Sequence, residues 1–156
     1  MGFEINGPSS TIGVVLLLVG GLAIVGYGGY SYVTQTSAVD SAVEVNATVT
    51  STGVEELSQR RGVEYTPSAT FEYTYEGQSY TASNVYPGPL TREFGTKETA
   101  REQLDGYEQG DTVTAYVPPD RPGNAFLLRE RSNKPFIVIG IGILLSLGGL
   151  YSVRNL

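Results

Sequence analysis

Carboxylates are the most abundant reactive groups in this chain of 156 residues, with 16 Asp and Glu against 10 Lys and Arg and with neither His nor Cys. Without imidazole or thiol the chain has no disulfide, no thiolate nucleophile, no imidazole base and no tetrahedral Cys/His zinc site. Carboxylate chemistry remains. A glycosidase-like site needs two acids facing each other across a cleft with one of them desolvated. Glu55 and Glu56 are adjacent, and Glu72 and Glu76 fall on a strand face that alternation assigns to solvent, so neither pair fits. Asp105, Glu108 and Asp111 gather around an expected helix end and turn; that spacing suits either a weak cation site or a solvated acidic cap, and no Asp-x-Asp-x-Asp-Gly run is present. A serine nucleophile would have only Lys97 or Lys134 as its base. Lys97 belongs to a first helical turn and Lys134 to the edge of an apolar segment. No Gly-Lys-Ser/Thr loop is available for a phosphate. The expectation is therefore no catalytic residue, no metal and no cofactor.

The elements that would position these side chains begin with two apolar segments. Residues 12–33 (IGVVLLLVGGLAIVGYGGYSYV) carry no charge, and as a helix they would reach ~33 Å, enough to cross a hydrocarbon core. Residues 135–153 (PFIVIGIGILLSLGGLYSV) are equally free of charge and lie between Lys134 and Arg154. A cleaved signal peptide is the alternative for the first segment. Against it stand a preceding stretch whose only charge is Glu4, an apolar run longer than a signal core, and no closely following A-x-A site. The expected plan is an N-terminal tail (1–11), a first transmembrane helix (12–33), a middle domain (34–134), a second transmembrane helix (135–153) and a C-terminal tail (154–156), with both tails on one side of the bilayer.

The middle domain holds every acid except Glu4 and every base except Arg154, and so carries the whole net charge of −6. Such a surface argues against nucleic acid as a partner, because phosphates need a basic face. Eight Arg against only Lys97 and Lys134 make the chain lysine-poor as well as acid-rich. That resembles the surfaces of haloarchaeal proteins, although an ordinary acidic domain would read the same way.

Within the domain, residues 34–41 are small and polar and read as a connector. Val43, Val45, Ala47 and Val49 alternate with Glu44, Asn46, Thr48 and Thr50, the period of a half-buried strand. Residues 55–62 (EELSQRRG) read as a solvated loop. Ala69, Phe71, Tyr73 and Tyr75 then point one way and Thr70, Glu72, Thr74 and Glu76 the other; Gly77-Gln78 turns the chain, and Tyr80, Ala82 and Val85 return. The tyrosine stripe is either a ligand platform or, as cross-strand packing favours, core. Ala100, Leu104 and Tyr107 fall at helical spacing, with Thr96 as cap, Glu98 near the positive end of the dipole and Gly106 as terminator. Val113, Ala115 and Val117 form another strand, stopped by Pro118 and Pro119. PPDRPGN, with Pro118, Pro119, Pro122 and Gly123, reads as a stiff structural turn into a last short strand at residues 125–128.

Gly110, Val113, Tyr116, Pro119, Pro122, Ala125 and Leu127 follow one another in an order and spacing that, with the hairpin Phe71-x-Tyr73-x-Tyr75-x-Gly77-x-x-Tyr80, resembles the membrane proteins grouped as domain of unknown function 3592. Val117-Pro118 depart from that pattern, where the family has a Tyr-Asp pair. The resemblance implies architecture and no catalytic residues: two membrane helices flanking a small β-rich domain. Residue pattern and resemblance together predict an α+β membrane protein in which a mainly antiparallel β domain, a barrel or sandwich with one short α-helix, sits between two transmembrane helices.

Small residues admit close helix contact, and Gly13, Gly20, Gly21 and Gly28 in the first span with Gly142, Ser146 and Gly149 in the second are candidates for packing within one chain or between copies; glycine-rich spans without such a role are the alternative. Arg129, Arg131 and Lys134 are candidates for lipid headgroup contact. Set against Arg154 alone, they favour a cytoplasmic domain. Asn46-Ala47-Thr48 is a glycosylation sequon and points the other way. The expected partners are the lipid bilayer and a membrane or cytosolic protein, or a second copy through the spans. The expected role is a non-enzymatic interaction or accessory module in the cell membrane. A sensor or binder of a small ligand or cation is the alternative, and a membrane hydrolase the third reading.

Overall fold

A computed structural model describes Pro8 and residues 10–154; Glu4, most of the N-terminal tail and the last two residues of the C-terminal tail lie outside the described residues. The elements in chain order are α1 (Thr11–Ser41), β1 (Val43–Gln59), β2 (Gly62–Tyr75), β3 (Gln78–Ala82), α2 (Lys97–Glu102), β4 (Thr112–Val117) and α3 (Lys134–Val153). They fall into two compact units. Residues up to Val33 together with those from Asn133 make one, and Thr34–Ser132 the other.

In the first unit α1 and α3 are each long and apolar enough to cross a membrane. Ile12, Leu16, Val19 and Leu22 on α1, and Phe136, Ile137, Leu144 and Leu147 on α3, are exposed, which is how a helix surface destined for lipid looks. Most buried positions follow a seven-residue spacing, Val14, Gly21 and Gly28 on α1 and Pro135, Gly142 and Gly149 on α3, and Ser31 and Ser152 each add one position three residues beyond the last of these. That is the repeat of a helix pair packed along one seam. Pro135 sits in the first turn of α3, where its missing N–H costs no hydrogen bond. One sequence expectation needs correction: residues 34–41 are not a connector, because α1 continues as a single helix of 31 residues to Ser41. Gln35 extends the same spacing, and it is buried along with Ala38 and Val39. Burial of these residues in the domain outweighs the weak helix propensity of the Thr and Ser around them.

The second unit is built on an antiparallel sheet of four strands in the order β3-β2-β1-β4. The sheet is open, so neither the closed barrel nor the two-sheet sandwich expected from the strand pattern is formed. Single bridges stand where a further ladder would close it. Phe126 bridges Tyr116 of β4 on one side and Asn84, two residues past β3, on the other. The short strand expected at residues 125–128 is this bridge; the prolines before it leave too little extended chain for a ladder. Residues 55–62 are likewise no loop. They form the far end of a β1–β2 hairpin that stays paired out to Gln59 opposite Gly62.

Alternation decides the core. Ala47 and Val49 of β1, Ala69, Phe71 and Tyr73 of β2, Ala82 of β3 and Ala115 and Val117 of β4 are buried. Glu44, Asn46, Thr48, Glu72 and Thr74 between them are exposed. A register shift between Val49 and Ser51 marks a bulge in β1. The β2–β3 turn uses Glu76 (φ 48°) and Gly77 (φ 79°), one residue earlier than expected, and both central residues lie in the left-handed region that a two-residue hairpin turn requires. Helix α2 starts as anticipated, with the Thr99 N–H donating to Thr96 Oγ1 at 3.2 Å, but it is only six residues long. Its buried side is Ala100, and Leu104 just beyond continues the contact with the core.

Candidate functional site

The segment that leaves the β unit, residues 127–132, is stitched to three parts of the same unit. Leu127 and Leu128 donate their N–H groups to the Val85 carbonyl at 3.2 and 2.8 Å. Arg129 Nε donates to the Val39 carbonyl at 2.9 Å, so a cation meets the carbonyl end of α1, where the helix dipole favours positive charge. Arg131 pairs with Asp40. Gln35 closes the arrangement in both directions: Nε2 donates to the Ser132 carbonyl and Oε1 accepts from the Ser132 N–H, each at 3.0 Å. The last two turns of α1 and the exit segment are thus clasped together where the chain enters and leaves the domain.

A second layer braces the clasp. Arg92 Nη1 pairs with Glu130 at 2.7 Å and Nη2 donates to the Arg131 carbonyl at 3.2 Å. The same guanidinium lies 4.1 Å from the centre of the Tyr86 ring, a cation–π geometry. The Tyr86 hydroxyl donates to Gln103 Oε1 at 2.9 Å. Burial pushes the Tyr86 phenol above its ordinary value, and the Arg92 charge works against that shift. Because Glu130, Arg131 and Asp40 are each more than half exposed, the ion pairs fix orientation more than they stabilise. The buried amide of Gln35 carries the larger share.

These contacts place the candidate headgroup residues. Arg129 and Arg131 have protein partners in the clasp, and Arg129 also lies 5.7 Å from the Tyr116 ring. Lys134 opens α3. Among the glycines, a Cβ on Gly21 would stand 2.5 Å from Ser146 Oγ and 2.9 Å from the Gly142 carbonyl. One on Gly28 would meet Ile139 at 2.7 Å, and one on Gly149 would meet Leu18 at 2.7 Å. Gly21, Gly28, Gly142, Ser146 and Gly149 therefore lie along one seam between α1 and α3 of a single chain. Gly20 has no neighbour within 4 Å, and Gly13 faces Pro8 and Ser10, so both fall outside it.

The tyrosine stripe is core. Tyr73 stacks on Tyr80, its cross-strand partner, with ring centres 5.6 Å apart. Its hydroxyl donates to the Pro122 carbonyl at 2.5 Å and accepts from the Ala125 N–H at 3.4 Å. That hydroxyl explains the Pro-rich turn. Pro118 and Arg121 head two successive turns, Arg121 N–H to the Pro118 carbonyl at 3.0 Å and Asn124 N–H to the Arg121 carbonyl at 2.9 Å. Pro119 and Gly123 lie inside them, and Pro122 presents its carbonyl to Tyr73. Desolvation raises the Tyr73 phenol pKa.

Asp111 receives the Glu108 N–H at 3.0 Å and returns its own N–H to the Glu108 carbonyl. The acids expected as cap or cation site thus act on their own turn, and Asp105, Glu108 and Asp111 are all exposed. Among the described residues no three acidic side chains converge on a point where a metal ion could sit. A cleft of ≈ 150 Å³ opens beside the clasp, lined by Thr34, Asn84, Tyr86, Asp120, Arg121 and Asn124 among others. Sequence reasoning reached Arg129 and Arg131 but missed Gln35, Asp40, Tyr86, Arg92 and Glu130. The one available signal was the seven-residue spacing Val14, Gly21, Gly28, Gln35, which runs past the apolar segment.

An open sheet of this order, one short helix against its two central strands and two flanking apolar helices define an α+β protein with a small antiparallel domain. Residues 45–132, more than half of the chain, match the family model described as domain of unknown function (DUF3592). The chain belongs to that family. No curated protein matches it.

Proposed function

We propose that this chain is an integral membrane protein whose β domain is a non-enzymatic interaction or accessory module, tethered to the bilayer by α1 and α3. The observation that carries the reading is the clasp. Gln35 and Ser132, 97 residues apart, bring the point where the chain enters the domain to the point where it leaves. A domain whose own first and last residues are joined in this way is a closed unit suited to offering a defined surface. The apolar outer faces of α1 and α3 support the membrane assignment. The charge bias of Arg129, Arg131 and Lys134 against Arg154 favours the cytoplasmic side. Their engagement in the folded clasp does not weaken that argument, because such bias acts as the chain inserts.

The test is photocrosslinking in cells. A photoreactive side chain replaces Glu72 or Thr81 on the exposed sheet face, or Leu22 on α1 as a lipid-facing control. A discrete protein adduct at one of the domain positions supports the module, and recovery in the soluble fraction after an alkaline wash contradicts the membrane assignment. A second reading, a binder of a small polar ligand, has one observation in its favour: the cleft lined by Asn84, Asp120, Arg121 and Asn124. A ligand that raises the melting temperature of the wild type and not of Asn124→Ala would establish it.

A further inference from the structure

The β1–β2 hairpin outruns the rest of the sheet, and one of its edges is bare. β4 pairs with β1 only over Val43 to Thr48, and the chain before β4 leaves β1 at Val49, which bonds to Gly110 and Asp111. From Ser51 to Gln59 β1 pairs with β2 on one side. Among the described residues no strand lies on its other side.

The far side of β2 fixes which groups of β1 face outward. Tyr65 exchanges both backbone hydrogen bonds with Phe94, at 2.8 and 2.7 Å, so it turns away from β1. Its partner Glu56 therefore sits in a non-hydrogen-bonded pair and turns its own N–H and C=O outward. Every second residue does the same, which adds Thr52, Val54 and Ser58. Pro67, opposite Val54, fits this alternation, since its missing N–H then falls on the side away from β1. Among the described residues no backbone partner meets the outward groups.

Gly53 lies among them. A Cβ there would meet only Ser68 Oγ, at 3.5 Å, an ordinary contact, so packing within the chain does not call for glycine. Glycine inside a strand suits close approach by another backbone. Beside this stretch runs a groove of ≈ 350 Å³, lined by residues 52–54 of the edge and residues 104–108 beyond α2. Its charges are mainly acidic. Asp105 and Glu108 line it, alternation puts Glu56 on the face of Thr52 and Val54, and Arg101 is the one base among the lining residues. From Ser51 to Gln59 the edge itself carries Glu55 and Glu56 and no base. A second copy laid antiparallel on it would bring acid near acid, whereas a basic guest meets opposite charge.

We propose that this edge is a docking site for an extended segment of a partner protein, with Lys or Arg at alternate positions, that adds a strand beside β1 in the lane β4 leaves. Backbone bonds to Thr52, Val54 and Glu56 supply the affinity, and Glu56, Asp105 and Glu108 select the basic side chains. The edge from Thr52 to Glu56 reaches ~17 Å, a short contact that suits a transient partner. The inference rests on the module reading and names the chemistry of its partner.

The probe is a short fluorescein-labelled peptide of alternating Lys and Thr, with alternating Glu and Thr as its counterpart, titrated with the full chain in a non-ionic detergent. Anisotropy is expected to rise for the Lys peptide only, and high salt should weaken the binding. Two further forms of the Lys peptide are N-methylated, one at every Lys and one at every Thr. One of the two should lose about tenfold or more in affinity, because it lacks the donors to the β1 carbonyls. Val54→Pro removes an N–H that the β1–β2 ladder does not use, and should weaken binding by a similar factor while melting near the wild type. Asp105→Lys with Glu108→Lys should weaken it too. Equal binding of the Lys and Glu peptides would overturn the charge selection, and full binding of both N-methylated forms would overturn the strand pairing whether or not Val54→Pro folds. A discrete protein adduct at Glu72 or Thr81 with no binding of the Lys peptide would overturn the docking edge and leave the module reading standing.

Discussion

The Gln35 amide and the Ser132 backbone form a reciprocal pair, one donating and one accepting hydrogen bond at 3.0 Å each. Gln35 is only 5% exposed, so water has little access to replace either bond. The pair ties the last turns of α1 to Ser132, the last residue of the β unit. A part-buried backbone donor and acceptor both met by one buried side chain is a demanding arrangement.

Gln35→Ala should therefore destabilise the full chain in detergent by about 1 to 3 kcal/mol, since it removes both hydrogen bonds between the Gln35 amide and the Ser132 backbone. Gln35→Glu should be no better: its carboxylate still accepts from the N–H but opposes the Ser132 carbonyl. Thermal melting monitored by tyrosine fluorescence reads both, and a melting curve equal to the wild type for either variant would show that the clasp contributes little.

The Tyr73 hydroxyl anchors the Pro-rich turn, so Tyr73→Phe should cost about 1 to 2 kcal/mol in the same assay. Replacing Pro119 and Pro122 by Ala should cost less, about 0.4 to 1 kcal/mol each, acting mainly through a freer unfolded chain. Combining Tyr73→Phe with the proline changes should give less than the sum, because they loosen one turn.

What the sequence made legible follows the physics of burial. Val43 to Val49 and Ala69 to Tyr75 announce themselves because one face is core and the other is water, and Thr96 declares its helix by capping chemistry. Residues 55–62 carry no alternation because both faces of a projecting ribbon meet solvent, and only backbone pairing holds them extended. The α1 extension was hidden for the opposite reason: Thr34, Gln35 and Ser37 look like a linker, and the domain that buries Gln35, Ala38 and Val39 is assembled from residues far away in sequence. Arg92 and Glu130, 38 apart, meet only once the sheet has formed.

In the apolar pair, Gly21→Leu should be disruptive, because its Cβ would stand 2.5 Å from Ser146 Oγ and 2.8 Å from the Ser146 backbone nitrogen. Overpacking of this kind costs roughly 1 to 3 kcal/mol. Gly20→Leu, with nothing within 4 Å, should leave stability unchanged. Denaturant titration of the two variants in mixed micelles checks the contrast; equal effects would place the seam elsewhere.

Alkali should unfold the domain through its buried phenols. Burial raises the pKa of Tyr73, Tyr86 and Tyr107 above 10.0. Above that value the unfolded state loses these protons while the folded state keeps them, so the contribution of these phenols is level below pH 10 and stability falls as pH rises towards the folded-state values. Tyr86→Phe should flatten part of that fall. Melting temperature measured against pH for the two proteins is the check, and identical alkaline slopes would remove Tyr86 from the account.

The proposed placement of the β domain on the cytoplasmic side of a membrane is tested most directly by the accessibility of one residue. In the Ser79→Cys variant the thiol lies at an exposed position of β3, and the natural absence of Cys leaves no background. Intact cells are treated with a membrane-impermeant maleimide, then lysed and treated again. The account predicts protection in intact cells, labelling after lysis and retention of the protein in the membrane pellet. Labelling of intact cells would place the domain outside, where the exposed Asn46 sequon could carry a glycan, and would contradict the cytoplasmic assignment.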